Sequence, residues 1–207
     1  ADAFISKYNP NGTKDWTRLL GSSAGDEPYA LTTGTDGSIY VSGFTRGSFD
    51  GQTFSGVNEA FISKYNTDGI KDWTRLLGSS SQDQAYALTT GTDGSIYVSG
   101  FTDGSLDGQT FNGSSDAFII KYKADGSKEW TRLLGSSNND YAYALTTGTD
   151  GSIYVGGTTF GSYSGQTIGL DSQTNSGSYD AFISKYNPTG TKEWTRLLGS
   201  SSQDYAY

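Results

Sequence analysis

The chain has 207 residues, 14 basic and 22 acidic, for a formal charge of −8. That balance argues against nucleic acid, which needs a basic stripe on its partner. There is no Cys and no His, which removes disulfides, thiolate or imidazole metal sites and the commonest general base. No run approaches the roughly 18 apolar residues that mark a bilayer-spanning segment.

The first strand-like run, Ala3–Tyr8 (AFISKY), returns at Ala60, at Ala117 (as AFIIKY) and at Ala181. A short polar turn follows each copy: NPNG, NTDG, KADG and NPTG. Next comes WTRLLGSS, beginning at Trp16, Trp73, Trp130 and Trp194; the first three are 57 residues apart and the last is 64 on. A variable acidic loop then leads into YALTTGTDGSIYV, beginning at Tyr29, Tyr86 and Tyr143. Its central Asp-Gly between two β-rich runs signals a hairpin. A longer loop rich in Gly, Ser and Asp closes the period before the next AFISKY.

A self-similar period of this length is the first feature to interpret. Read from Tyr29, each period holds four short strands, A to D: 29–33, 39–45, 60–65 and 73–77 in the first copy. Gly, Thr and Ser are too frequent for helices, and no 3.6-residue period is present. Strands B and C carry apolar residues at both odd and even positions, so both faces of each sheet must be covered. Similar sheets packed face to face satisfy that requirement, which predicts an all-β propeller of four-stranded antiparallel blades. The whole of 1–207 reads as one repetitive region. Residues 1–20 supply strands C and D of a first blade; 29–77, 86–134 and 143–198 supply three full blades; 205–207 begin another strand A. With no Met at position 1, the sequence reads as part of a longer chain with further blades, and its two ends are expected to expose apolar faces.

The Trp before each strand D is expected to pack between blades. The Arg two residues on (Arg18, Arg75, Arg132, Arg196) is expected to lie on the sheet with its head paired to an acid.

The run DAFISKYNPNGTKDWTRLLGSS, with the later YALTTGTDGSIYVSGFT, resembles the bacterial SBBP repeat, a seven-bladed β-propeller repeat, in its cyanobacterial-type copies. The resemblance covers essentially the whole chain. It implies a propeller within a large bacterial protein, secreted or on the cell surface. In addition, NPTGTKEW (Asn187–Trp194) is similar to the tryptophan-docking turn of quinoprotein propellers, which implies packing only.

In a meander the A–B and C–D turns share one rim, and the D–A and B–C loops share the other. The turns are nearly constant between copies, whereas the loops vary, and variable loops on a fixed scaffold are where binding usually resides. Phe54, Phe111 and Tyr163 on that rim are candidate ligand contacts. One position there is constant: Asp26, Asp83, Asp140 and Asp204, each just before strand A. Two readings are open. The four carboxylates form a ring that takes Ca²⁺, a cation that prefers several oxygen ligands, or each caps its own loop through backbone amides. Asp50, Asp107 and Asp171 are read as turn formers.

No catalytic set is present, and no other cofactor is expected. The leading expectation is a non-catalytic extracellular module for adhesion or assembly, binding surface or matrix proteins. A lectin-like module that binds glycans is the alternative, and a hydrolase or lyase is a more distant one.

Overall fold

A computed structural model describes residues 2–160 and 173–207. All its regular structure is β. β1 (Ala3–Tyr8) and β2 (Lys14–Leu20) form a two-stranded sheet. β3 (Asp26–Thr33), β4 (Ile39–Thr45), β5 (Glu59–Tyr65) and β6 (Lys71–Leu77) form the first four-stranded sheet, in that order. β7 (Asp83–Thr90), β8 (Ile96–Thr102), β9 (Asp116–Tyr122) and β10 (Lys128–Leu134) form the second. β11 (Asp140–Thr147), β12 (Ile153–Phe160), β13 (Tyr179–Tyr186) and β14 (Lys192–Leu198) form the third. Every pairing is an antiparallel neighbour pairing, as in a propeller blade.

Strand A starts three residues earlier than its sequence suggests. A register shift between Pro28 and Ala30, repeated at Ala85/Ala87 and Ala142/Ala144, lets Asp26, Asp83 and Asp140 pair with Thr45, Thr102 and Thr159. These aspartates are therefore the first residues of their strands. The period-2 pattern fails to mark them because the bulge interrupts the alternation.

The middle strands are buried on both faces. Every residue of β5, β8 and β9 is buried. Tyr40, Ile62 and Leu77 of the first full blade share a core with Ile96, Val98 and Phe118 of the second. Val41, Phe61 and Tyr65, on the opposite face, pack with Ile5, Trp16 and Leu20 of the half-blade. Both faces of each sheet are apolar, and a neighbouring sheet covers each interior face.

The strands nearest one another from blade to blade are β3, β7 and β11. Tyr29, Tyr86, Tyr143 and Tyr207 form a ladder along them, with ring centroids 5.2, 5.2 and 5.4 Å apart. Below it, Thr90 Oγ1 donates to Thr33 O and Thr147 Oγ1 to Thr90 O, each at 3.0 Å.

At the outer side a second joint recurs. The Arg75 guanidinium lies 5.2 Å from the Trp73 ring centroid, and its Nε donates to Gly126 O in the next blade at 2.9 Å. Trp73 Nε1 and Lys64 Nζ both donate to Ala124 O, at 3.3 and 3.2 Å. Arg18, Trp16 and Lys7 do the same to Gly69 O and Thr67 O, at 2.8, 3.2 and 2.9 Å. Arg132, Trp130 and Lys121 do so to Gly190 O and Pro188 O, at 2.7, 3.4 and 3.5 Å. Trp16, Trp73 and Trp130 pack between blades as expected, and Trp194 packs on Tyr154 of its own blade. Arg18, Arg75 and Arg132 stabilise the sheet by a different means: among the described residues, their heads meet backbone carbonyls of the next C–D turn and no acid, and Arg196 donates to Thr195 O of its own strand.

Candidate interaction site

The loop rim is assembled from carboxylates. Asp83 is fully buried, and its Oδ2 accepts from Ser79 N at 2.7 Å and from Ser79 Oγ at 3.1 Å. Ser79 Oγ in turn accepts from Ser81 N, so one side chain pins the D–A loop. Asp26 holds Ser22 N (2.8 Å), Asp140 holds Ser136 N (2.7 Å) and Asp204 holds Ser200 N (2.7 Å) in the same way.

A second acid, not singled out from the sequence, stands beside Asp83 and Asp140, namely Glu59 and Asp116, and Asp180 holds the equivalent position in the third full blade. Glu59 accepts from Ser55 N at 2.9 Å. Asp116 accepts from Asn112 N and Gly113 N at 2.9 and 3.1 Å, and Asp180 from Ser176 N and Gly177 N at 2.7 and 3.1 Å. These residues pin the B–C loops. The signal was present: Glu59, Asp116 and Asp180 each lie 24 residues before Asp83, Asp140 and Asp204. The glycine of WTRLLG separates the pair. A β-carbon at Gly78 would lie 2.6 Å from Glu59 Cγ and 2.9 Å from Asp83 Oδ2.

Burial acts against charge at these pairs. It pushes the Asp83 carboxyl up to about 6, with Glu59 adding a repulsion and the Ser79 donors opposing. Burial likewise raises Asp140 to about 6, with Asp116 as the repelling neighbour. Glu59 and Asp116 are also raised, chiefly by burial. Oδ1 of Asp26, Asp83 and Asp140 is buried without a hydrogen-bond partner, a costly arrangement for an anion. Among the described residues no three acids stand close enough to share a metal ion, and each aspartate holds the loop of its own blade.

The B–C loops fold back over the sheet. Asp50 and Asp107 adopt φ of 50° and 49°, the left-handed region that Asp tolerates in turns. Asp50 accepts from Lys71 Nζ at 2.5 Å and from Thr74 Oγ1; Asp107 accepts from Lys128 Nζ at 2.6 Å and from Thr131 Oγ1. Beside it, Gln52 Nε2 donates to Thr74 O, and Gln52 Oε1 accepts from Leu76 N at 2.9 Å. Gln173 repeats this on Thr195 O and Leu197 N, at 2.9 and 3.3 Å. A glutamine amide thus pairs with the outer edge of β6 and of β14 as a further strand would.

Phe54 and Phe111 sit half-buried on these loops. Tyr163 and Asp171 lie outside the described residues.

No family model matches the chain, so the SBBP resemblance stands on the residues quoted for it. The regulatory protein FlaEY of Caulobacter vibrioides is 30% identical over 190 residues, covering 83% of this chain and 20% of that protein. The uncharacterized WD repeat-containing protein L264 of Acanthamoeba polyphaga mimivirus is 24% identical over 234 residues, covering 89% of this chain and 16% of that protein. The chain spans a fifth or less of the length of these curated relatives. Neither name states an enzymatic activity. A solved protein of unknown function from Bacteroides caccae aligns with a TM-score of 0.42 at 10% identity, over 95% of this chain and 77% of that one. The chain is a repeat-rich all-β protein of propeller-type blades, similar in sequence to a WD repeat-containing protein.

Proposed function

We propose that the chain is a non-catalytic propeller module that binds a protein partner through its loop rim. One observation carries this reading: the two rims are used differently. On the turn rim, the C–D turns are occupied in joining blades, because their carbonyls accept the Lys, Trp and Arg of the blade before. On the loop rim, buried acids hold the loop backbones, which leaves the varying side chains outward. A fixed backbone with changing side chains is the arrangement that recognition loops use. The names of the relatives, a regulatory protein and a WD repeat-containing protein, support an interaction role. The resemblance to the SBBP repeat supports an extracellular or cell-surface setting, with adhesion or assembly as the outcome.

Site-specific photo-crosslinking on intact cells of the native host tests this. A crosslinker at Phe54 or Phe111 is expected to yield a discrete protein adduct, whereas one at Asp125 or Thr189 on the opposite rim does not. Adducts only from the turn rim would overturn the assignment.

A further inference from the structure

We propose that the inner tyrosine ladder is an oxidative cross-linking site, at which Tyr86 is joined, carbon to carbon, to Tyr29 or Tyr143 of a neighbouring blade. The composition leaves an oxidant few places to act. Cys and Met, which ordinarily take up oxidising equivalents, are absent, as is His. Fifteen tyrosines and four tryptophans remain.

Charge sorts these rings. A guanidinium lies 5.2–5.7 Å from the centroid of each tryptophan. An indole that loses an electron gains a positive charge beside that cation, which Coulomb repulsion disfavours. Three tyrosines are covered alike: the Lys64, Lys121 and Lys185 ammonium groups lie 5.7–6.0 Å from the rings of Tyr40, Tyr97 and Tyr154. The ladder has different surroundings. Among the described residues no Lys or Arg head lies over the ring of Tyr86 or Tyr143. Tyr29 Oη donates to Glu27 Oε2 at 3.3 Å. A carboxylate so placed takes the phenolic proton as the electron leaves, and the ring ends as a neutral radical.

Geometry sets what that radical meets. The Tyr86 ring centroid in β7 lies 5.2 Å from that of Tyr29 in β3 and 5.2 Å from that of Tyr143 in β11. Rings at this separation touch, since aromatic pairs span about 4.5–7 Å. The hydrogen bonds from Thr90 to Thr33 O and from Thr147 to Thr90 O hold the three strands at that spacing. Each of two touching tyrosines gives up one electron and its phenolic proton. The radicals join at the ring carbons beside the hydroxyls, and the hydrogens on those carbons move to the phenol oxygens. Two hydrogens are lost in all. A peroxide accepts them through a one-electron catalyst such as a haem peroxidase, and hydrogen peroxide leaves as two waters. The bond ties together residues 57 apart in sequence, on different blades. Like a disulfide, it restricts the unfolded chain and so stabilises the folded one.

Photo-oxidation of the dilute folded chain with tris(bipyridyl)ruthenium(II), persulfate and visible light tests this. Tryptic peptides 19–46, 76–121 and 133–185 carry Tyr29, Tyr86 and Tyr143 separately. Mass spectrometry is expected to find a monomer lighter by two hydrogens, with peptide 76–121 linked to one of the other two and a raised melting temperature. Tyr86→Phe, which keeps the ring, is expected to remove the link, whereas Tyr154→Phe keeps it. The same irradiation of wild type in urea is expected to lose the link, and this comparison decides the matter should Tyr86→Phe misfold. Linkage that persists in Tyr86→Phe or in urea would overturn the proposal. So would dityrosine formed only between molecules, or oxidation confined to the indoles.

Discussion

The indole of Trp73 lies against the bare α-carbon of Gly126 in the next blade, with no room for a β-carbon between them. Gly126 also has φ of +79°, so two requirements meet at one residue. Gly94, in an A–B turn, has the same φ, but its nearest neighbour is 3.9 Å away. Gly94→Ala is expected to cost only the left-handed penalty, about 1–2 kcal/mol. Gly126→Ala adds a clash with the indole, for roughly 3 kcal/mol or more in total. Thermal melting of the two variants side by side checks the difference, and equal melting temperatures would remove the steric part.

Arg75 acts through geometry more than through charge. Its Nε–H reaches the Gly126 carbonyl while the guanidinium plane covers Trp73. Arg75→Ala is expected to destabilise by about 2–3 kcal/mol, the sum of a charge-assisted hydrogen bond and a cation–π contact. Arg75→Lys keeps the charge and loses the planar fork, so it should recover half of that at most. Full recovery by lysine in chemical denaturation would show that charge alone suffices.

The buried acid pairs give stability a pH dependence of unusual sign. Asp83 and Asp140 have folded-state values near 6, above the ordinary aspartate value they assume when unfolded. The folded state therefore binds more protons, and its stability is greatest below the unfolded value and is lost as pH rises through about 6. Each aspartate contributes on the order of 2–3 kcal/mol across that window. The melting temperature should rise between pH 7.5 and pH 5, by an increment that Asp83→Asn reduces. At lower pH the trend should reverse, because Asp93 and Asp107, held below their usual range by hydrogen bonds and lysines, lose their charge. A melting temperature that falls steadily from pH 7.5 to 5 would contradict this assignment.

Gln52 guards an edge. Removing its amide in Gln52→Ala frees Leu76 N on the outermost strand and leaves Thr74 O with Arg75 Nη1 as its donor. The stability loss should be small, about 1 kcal/mol, because Thr74 O keeps its bond from Arg75 Nη1. The larger effect is expected in light scattering at elevated concentration, since a bare edge recruits other edges. Unchanged scattering would show that the Asp50 contact with Thr74 suffices to cover the strand.

Most of this fold was legible because the sequence states it repeatedly. Strands C and D match their expected positions to within two residues, since AFISKY and WTRLL recur between constant turn signals. Strand A was read short because the bulge at Pro28/Ala30 disrupts the alternation on which the reading depends. The loop-rim aspartates were legible as a constant position, whereas the constant 24-residue spacing to their partners does not by itself say that the two meet. Glu59 and Asp83 belong to different strands of neighbouring blades, and only folding brings them together. The error over the arginines has a related cause: a search for a charged partner examines side chains, and a backbone carbonyl leaves no mark on the sequence.

Trp16, Trp73 and Trp130 meet Thr67, Ala124 and Pro188 of the next blade through one atom that all three share, the carbonyl oxygen. The identity of the residue bearing it is irrelevant to the fit. Any copy can therefore follow any other, and copies can be duplicated, deleted or shuffled in whole periods without the joints needing to co-adapt. A seam specified by backbone and glycine makes the blades interchangeable parts, and leaves their loops free to diverge one at a time.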